Sequence, residues 1–344
     1  MYTEVKGAEP VKQKPFKIGF VYISPVGEAG WSYSHYVARE ALAKQPDILT
    51  YYKEAVPAED SEEVMLKMAE KGYDMIVSTS FSYQDATLNV AKKFPNTVFI
   101  HCSGNQTAPN VSNYFGRMYQ ARYLTGMVSG LMSKTNQIGY VAAYPIPEVI
   151  RGINAFTLGV REVNPQAQVR VLWVNQWFGR DRERKAALKL IEAGADVLTS
   201  HQDSPWVQGA VALEQGVHFV GYHSDVSKFF EEAHLVSAIW NWTPYYQSVV
   251  AKVRAGTWKS SSDWLDMKSG AVDISSYGPK VPQEVRAKVD ARKNEIIEGK
   301  YVVFQGPVKD QNGKERIAKG AFPTDHDLAV QDWFVEGVIV APKE

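Results

Sequence analysis

Apolar runs of strand length alternate with helix-periodic segments along most of the chain, and that rhythm runs through twice. In the first pass, Phe16–Ser24 (FKIGFVYIS), Asp74–Thr79 and Val98–Cys102 read as strands. Helices are expected over about Ser34–Ala43, Ser61–Gly72 and Gln84–Phe94, with Ser61 as N-cap, Gly72 as a C-terminal stop and Pro95 ending the third. A long helix, Met118–Lys134, carries Gly126 and Gly130 at close spacing. In the second pass, strands are expected at Ile138–Ala143, Val169–Val174, Val197–Ser200, Phe219–Tyr222 and Leu235–Ile239. Helices Glu148–Val163, Arg182–Ala193 and Trp206–Gln215 lie between them. Regular βα alternation makes parallel sheets covered by helices on both faces. Two such sets fit an α/β architecture of two doubly wound lobes. A closed barrel would need eight units around one continuous core, and the 118–134 helix would interrupt it.

The remainder is less regular. A helix is expected at Tyr245–Ala255, ending in the basic-then-glycine run Arg254–Gly256. A strand-rich stretch, Ser260–Ser275, and a charged helix, Pro282–Glu298, follow, and the tail holds one apolar strand, Phe334–Val340. The 344 residues carry 38 basic and 38 acidic side chains, so bulk charge drives binding neither to nucleic acid nor to an anionic membrane. The one cysteine, Cys102, rules out an intrachain disulfide and a cysteine-based metal site. No run of ~18 apolar residues spans a membrane. The start, MYTEVKGAEPVKQKPFKIGF, has no apolar signal core, and the polar leader before Phe16 resembles the tether left after signal removal.

Chemistry-bearing motifs are absent. There is no GxSxG, HExxH, Walker A or EF-hand loop, and the loop after the first strand, Ser24–Trp31 (SPVGEAGW), is no dinucleotide fingerprint. The histidines are scattered without helical zinc spacing, although His201 and His223 both end strands and could meet. Neither a catalytic constellation nor a cofactor site follows.

Aromatics, carboxylates and amides instead crowd the carboxyl ends of the strands, where open α/β sheets bind ligands. Trp31 and Tyr33 follow the first strand, and Phe81 follows the strand at 74–79. Phe115 precedes the long helix, and Trp177 and Phe178 follow the strand at 169–174. Asp203, Tyr222 with Asp225, and Trp240 with Asn241 end the next three strands. Aromatic faces stack flat heterocycles for ~1–3 kcal/mol per base. Carboxylates and amides read the ring edge. A sugar would also lie on tryptophan, but its hydroxyls call for more carboxylates and arginines than these ends supply.

The run Tyr123–Pro165 (YLTGMVSGLMSKTNQIGYVAAYPIPEVIRGINAFTLGVREVNP) resembles the basic membrane protein family, purine-binding substrate-binding proteins of ABC transporters. Gly30–Ser34 (GWSYS), Trp177–Ala187 (WFGRDRERKAA), Gly194–Val197 (GADV), Gly221–Asp225 (GYHSD) and Trp333–Val338 (WFVEGV) match in order and spacing. The resemblance implies a type I periplasmic binding protein fold with hinge crossovers. One lobe would hold residues 15–135 plus 243–275, and the other 136–242 plus 276–344. It also implies capture of a purine by stacking between Trp31 or Tyr33 and Trp177, with Asp203 and Asn241 bonding the base once the lobes close. It further implies delivery to an ABC permease, without catalysis, by a monomeric periplasmic or membrane-anchored protein. Only Glu28 keeps the acidic character usual in the first loop, and Trp240-Asn241 stands where a basic residue is common. Both departures point to a free base, adenine or hypoxanthine, rather than a nucleoside. The alternatives are a nucleoside- or sugar-binding sensor of the same fold and a purine-salvage enzyme.

Overall fold

The structure, a computed structural model, describes residues 14–340; the leader up to residue 13 and the last four residues lie outside the described residues. Along the chain run β1 (Phe16–Val21), α1 (Trp31–Ala43), β2 (Ile48–Lys53), α2 (Ser61–Glu70), β3 (Met75–Ser78), α3 (Gln84–Lys93), β4 (Val98–Cys102) and β5 (Val111–Gly116). Then come α4 (Tyr119–Met132), β6 (Gln137–Ala142), α5 (Pro147–Val163), β7 (Gln168–Trp173), α6 (Arg180–Glu192), β8 (Val197–His201), α7 (Trp206–Gln215), β9 (His218–His223) and β10 (His234–Trp240). The last third contains α8 (Thr243–Arg254), β11 (Ser262–Leu265), β12 (Val272–Ile274), α9 (Gln283–Ile297), β13 (Val308–Lys309), β14 (Glu315–Ile317), α10 (Asp325–Ala329) and β15 (Val338–Val340).

Besides a separate antiparallel pair of β13 and β14, two large sheets form, with the orders β11-β5-β4-β3-β1-β2 and β12-β10-β9-β8-β6-β7-β15. All pairings within them are parallel except β10 with β12. Each sheet starts with its first strand beside the second and then reverses direction, so each has a switch point: β1/β3 in one lobe and β6/β8 in the other. Strands such as β3 (MIVS) and β8 (VLTSH) are buried along their whole length, as helices on both faces require.

The chain passes between lobes three times: between β5 and α4, between β10 and α8, and between β11 and β12. These crossings correct the expected boundaries. The 243–275 segment does not lie wholly in the first lobe, because β11 joins the first sheet and β12 the second. The helix at 119–132 also leaves the first lobe, for it packs on α5 of the second. Its glycines explain the packing. A Cβ on Gly126 would stand 2.0 Å from the Phe156 carbonyl oxygen, and one on Gly130 would stand 2.6 Å from that of Val160. Sequence patterning also misses β2, an edge strand in which only Ile48 is buried, and β5.

Candidate functional site

The loops at the two switch points face each other across the interlobe cleft. The first lobe contributes Ile23 and Trp31 beyond β1, Ser80 and Phe81 beyond β3, and Ser103 beyond β4. The second contributes Glu148 beyond β6, Trp177 beyond β7, His201 and Asp203 at the end of β8, and His223 at the end of β9. Together they enclose a cavity of about 30 Å³. That is room for two or three waters at ~10–15 Å³ each. Local backbone strain gathers in the same loops. Ala29, Ser103, Asn175 and His223 all have left-handed backbones, at φ 51°, 66°, 53° and 75°. Such conformations cost side-chain-bearing residues of order 1–3 kcal/mol and collect at binding sites.

Aromatic surfaces wall the cavity from both lobes. Trp31 is buried and anchored by its indole N–H, which donates to the Thr79 carbonyl at 2.6 Å. Phe81 is 53% exposed and lines the cleft. Trp177 meets Tyr144 and His201 at ring distances of 5.2 and 6.2 Å and steep angles of 63° and 46°, so neither neighbour lies flat on it. Among the described residues it makes no ring contact with Trp31 or Phe81.

Polar groups occupy the same walls. Asp203 is buried; Ser24 bonds its carboxyl, and Oδ2 has no partner among the described residues. Burial pushes Asp203 up to about 8, and Glu183 and Glu148 add to the effect. Glu148, in the first turn of α5, is pushed up to about 7 by burial, against the pull of Arg151. At neutral pH an acid in this state offers both an O–H donor and a carbonyl acceptor. Burial holds His201 well below its ordinary value, so its ring is neutral, and its Nδ1 has no partner. His223 is a bracket: Nε2–H donates to the Gln202 carbonyl at 2.8 Å, while Nδ1 accepts from the Trp240 indole at 3.0 Å. His201 and His223 thus meet near the cavity, yet among the described residues no group of three or more side chains could hold a metal ion.

Protein groups join the lobes along the rim. Glu28 pairs with Arg180 of α6 and accepts from the Ser204 hydroxyl at 3.0 Å. The Trp31 amide donates to the Asp203 carbonyl at 3.1 Å, and Ser224 donates to the Ala29 carbonyl. Glu28, the one acid kept in the first loop, therefore latches the jaws.

Of the expected site residues, the cleft brings together Trp31, Phe81, Trp177 and Asp203. Phe115 and Tyr222 line a smaller chamber behind it. Phe178 is half-buried beside Arg180, near the latch. Four placements correct the expectation. Tyr33 points outward from α1 and stacks on Tyr36 at 6.4 Å. Trp240 is spent on packing, stacked on the buried Trp242 at 4.7 Å and edge-on to Trp31. Asp225 is exposed and caps a turn by accepting from the Ser227 amide at 2.9 Å. Asn241 is exposed and lines an outer groove beside α8, away from the cleft. Glu148 and His201, which stand at the cavity wall, were passed over as contact residues; Glu148 reads in sequence only as an N-terminal acid of a helix.

The family model described as "Bmp: ABC transporter substrate-binding protein PnrA-like" matches residues 16–311. TsgA13 of Haloferax volcanii, whose name describes an ABC transporter glucose-binding protein, is 42% identical over 87% of this chain and 77% of its own length. A protein of Brucella abortus named as a purine-binding protein is 38% identical over 96% of this chain and 95% of its own. A solute-binding protein of an ABC transporter system from Aeropyrum pernix superposes with a TM-score of 0.72 at 15% identity, covering 91% and 95% of the two chains. The architecture is thus the type I periplasmic binding protein fold. A protein of this kind binds solutes for transport on the extracytoplasmic side and is not a catalyst. Among the described residues no helix is long and apolar enough to cross a membrane. By the extent of that match, and by the identity of its relatives, the chain belongs to the Bmp family of PnrA-like ABC transporter substrate-binding proteins.

Proposed function

We propose that the chain captures a free purine base, adenine or hypoxanthine, in the interlobe cavity and delivers it to an ABC permease. The observation that carries this reading is one cavity with aromatic walls from opposite lobes and an unpartnered buried carboxyl, Asp203, between them. A flat ring slides between Trp177 and the Trp31–Phe81 wall, where stacking is worth ~1–3 kcal/mol. A protonated Asp203 or Glu148 matches the adjacent donor and acceptor of a purine edge, and the closed lobes make those bonds in low dielectric. The name of the Brucella abortus relative supports the purine class.

A hexose is the second reading, on the name of the Haloferax volcanii relative. Calorimetry with adenine, hypoxanthine, guanine, adenosine, inosine and glucose separates the two. The expected result is a free base binding at least about tenfold tighter than any nucleoside or glucose, a gap of ~1.4 kcal/mol. A preference for a nucleoside or for glucose overturns the proposal.

A further inference from the structure

Outside the cleft, a groove of about 300 Å³ lies between α8 and β11, the edge strand of the first sheet. That volume reaches the range of small-molecule sites, ~300–1,000 Å³. Two of the interlobe crossings border it. Asn241 belongs to the passage from β10 to α8, and Ser269 and Ala271 to the passage from β11 to β12. The Asn241 amide donates to the Ala271 carbonyl at 2.9 Å and so ties the two crossings together.

The walls combine aromatic surface with unequal charge. Tyr245 lies on Tyr114 at 4.7 Å, and its hydroxyl donates to Asp263 at 3.0 Å, so its ring is fixed in place. Trp258 is half-buried, and among the described residues it makes no ring contact with another aromatic. Lys252 and Lys259 also line the groove, and among the described residues neither ammonium group has an ion-pair partner. Asp263, the one acid in the lining, is already engaged, because its Oδ2 also accepts from the Ser261 hydroxyl at 2.9 Å. Two cations against one hydrogen-bonded carboxylate leave a single positive charge, which a monoanion complements.

We propose that this groove is a second ligand site that takes a small aromatic monocarboxylate. The ring lies against Trp258 and Tyr245, and the carboxylate meets Lys252 and Lys259. Hinge closure turns the crossings relative to the lobes they join. The groove has its present shape with the jaws latched by Glu28 and Arg180, so a ligand that fits it favours the shut form. The inference does not rest on the purine reading.

The probe is benzoate, with benzamide as its neutral counterpart, both titrated calorimetrically without purine. Benzoate should saturate with a Kd at or below about 1 mM. Benzamide should bind at least about fivefold more weakly. Lys252→Gln/Lys259→Gln changes two exposed side chains and should fold; it should weaken benzoate by a similar factor. Trp258→Ala should weaken it too, whereas Trp177→Ala, which alters the cleft, should not. Gly30→Ala, whose Cβ would stand 1.5 Å from the Asp203 carbonyl oxygen and part the lobes, should bind benzoate at least about fivefold more weakly. Absence of saturation, equal binding of benzamide, or unchanged affinity in the lysine variant would each overturn the proposal. So would loss in Trp177→Ala with retention in Trp258→Ala, or unchanged affinity in Gly30→Ala.

Discussion

Trp177→Ala is the sharpest perturbation of the stacking arrangement. The indole sits at the end of β7 and half-buried, with Tyr144 and His201 meeting it at 63° and 46° rather than flat. Its backbone carbonyl accepts from the Asp203 amide at 2.8 Å, a bond that truncation of the side chain leaves intact. The edge contact with Tyr144 is worth ~0.5–1.5 kcal/mol to folding. That loss falls equally on free and liganded protein, so it lowers Tm and cancels in the binding constant. What does not cancel is the face offered to the ligand, ~1–3 kcal/mol. At ~1.4 kcal/mol per decade, Kd should rise roughly 5- to 150-fold. Trp177→Phe keeps a flat face and should recover most of the loss. Calorimetric titration with adenine measures all three proteins. A change below about twofold in Trp177→Ala, or equal weakening in the alanine and phenylalanine variants, would refute the stacking argument.

Two further outcomes follow from the cleft. Asp203 and Glu148 keep protons in the folded state up to about 8 and about 7, whereas unfolded carboxyls lose them near 3.8 and 4.5. The folded chain thus binds more protons between about pH 7 and 8, and stability should fall across that window by somewhat under ~1 kcal/mol. Below about pH 7 the buried His35, His101, His201, His223 and His234, held down by desolvation, reverse the slope, because the unfolded chain then binds more protons. Thermal scans without ligand should therefore peak at about pH 7, and Asp203→Asn should flatten the alkaline side; a Tm that climbs steadily from about pH 7 to 8 contradicts the assignment. Gly30→Ala would put a Cβ 1.5 Å from the Asp203 carbonyl oxygen and so hold the lobes apart. Scattering should show no compaction on adding ligand, and affinity should drop at least about tenfold; normal compaction would show that the approach at Gly30 is dispensable.

Much of the architecture was legible because its cues are local. Apolar runs such as FVYI and MIVST mark buried parallel strands, and Pro95 and Gly72 end helices through backbone chemistry. Lobe membership was less legible, because it depends on partners far away in sequence. Gly126 and Gly130 signalled a close helix crossing, but nothing local shows that the partner is α5. Site residues suffered from the period of a strand. Trp240 and Asn241 are neighbours, and at a strand end one turns inward and the other outward. Glu148 and His201 were hidden for another reason. Their roles arise from desolvation and from facing the opposite lobe, which leave no pattern in the chain.

The contact of Glu28 with Arg180 and Ser204 has a bearing on affinity that no wall of the cavity shares. Shutting the clamshell draws on the protein's own cohesion, so a cargo molecule supplies only the remainder. The observed dissociation constant is the intrinsic one divided by the fraction already shut. Substitutions at the outer edge can therefore retune uptake across a wide concentration range while the chemistry that tells one cargo from another stays untouched.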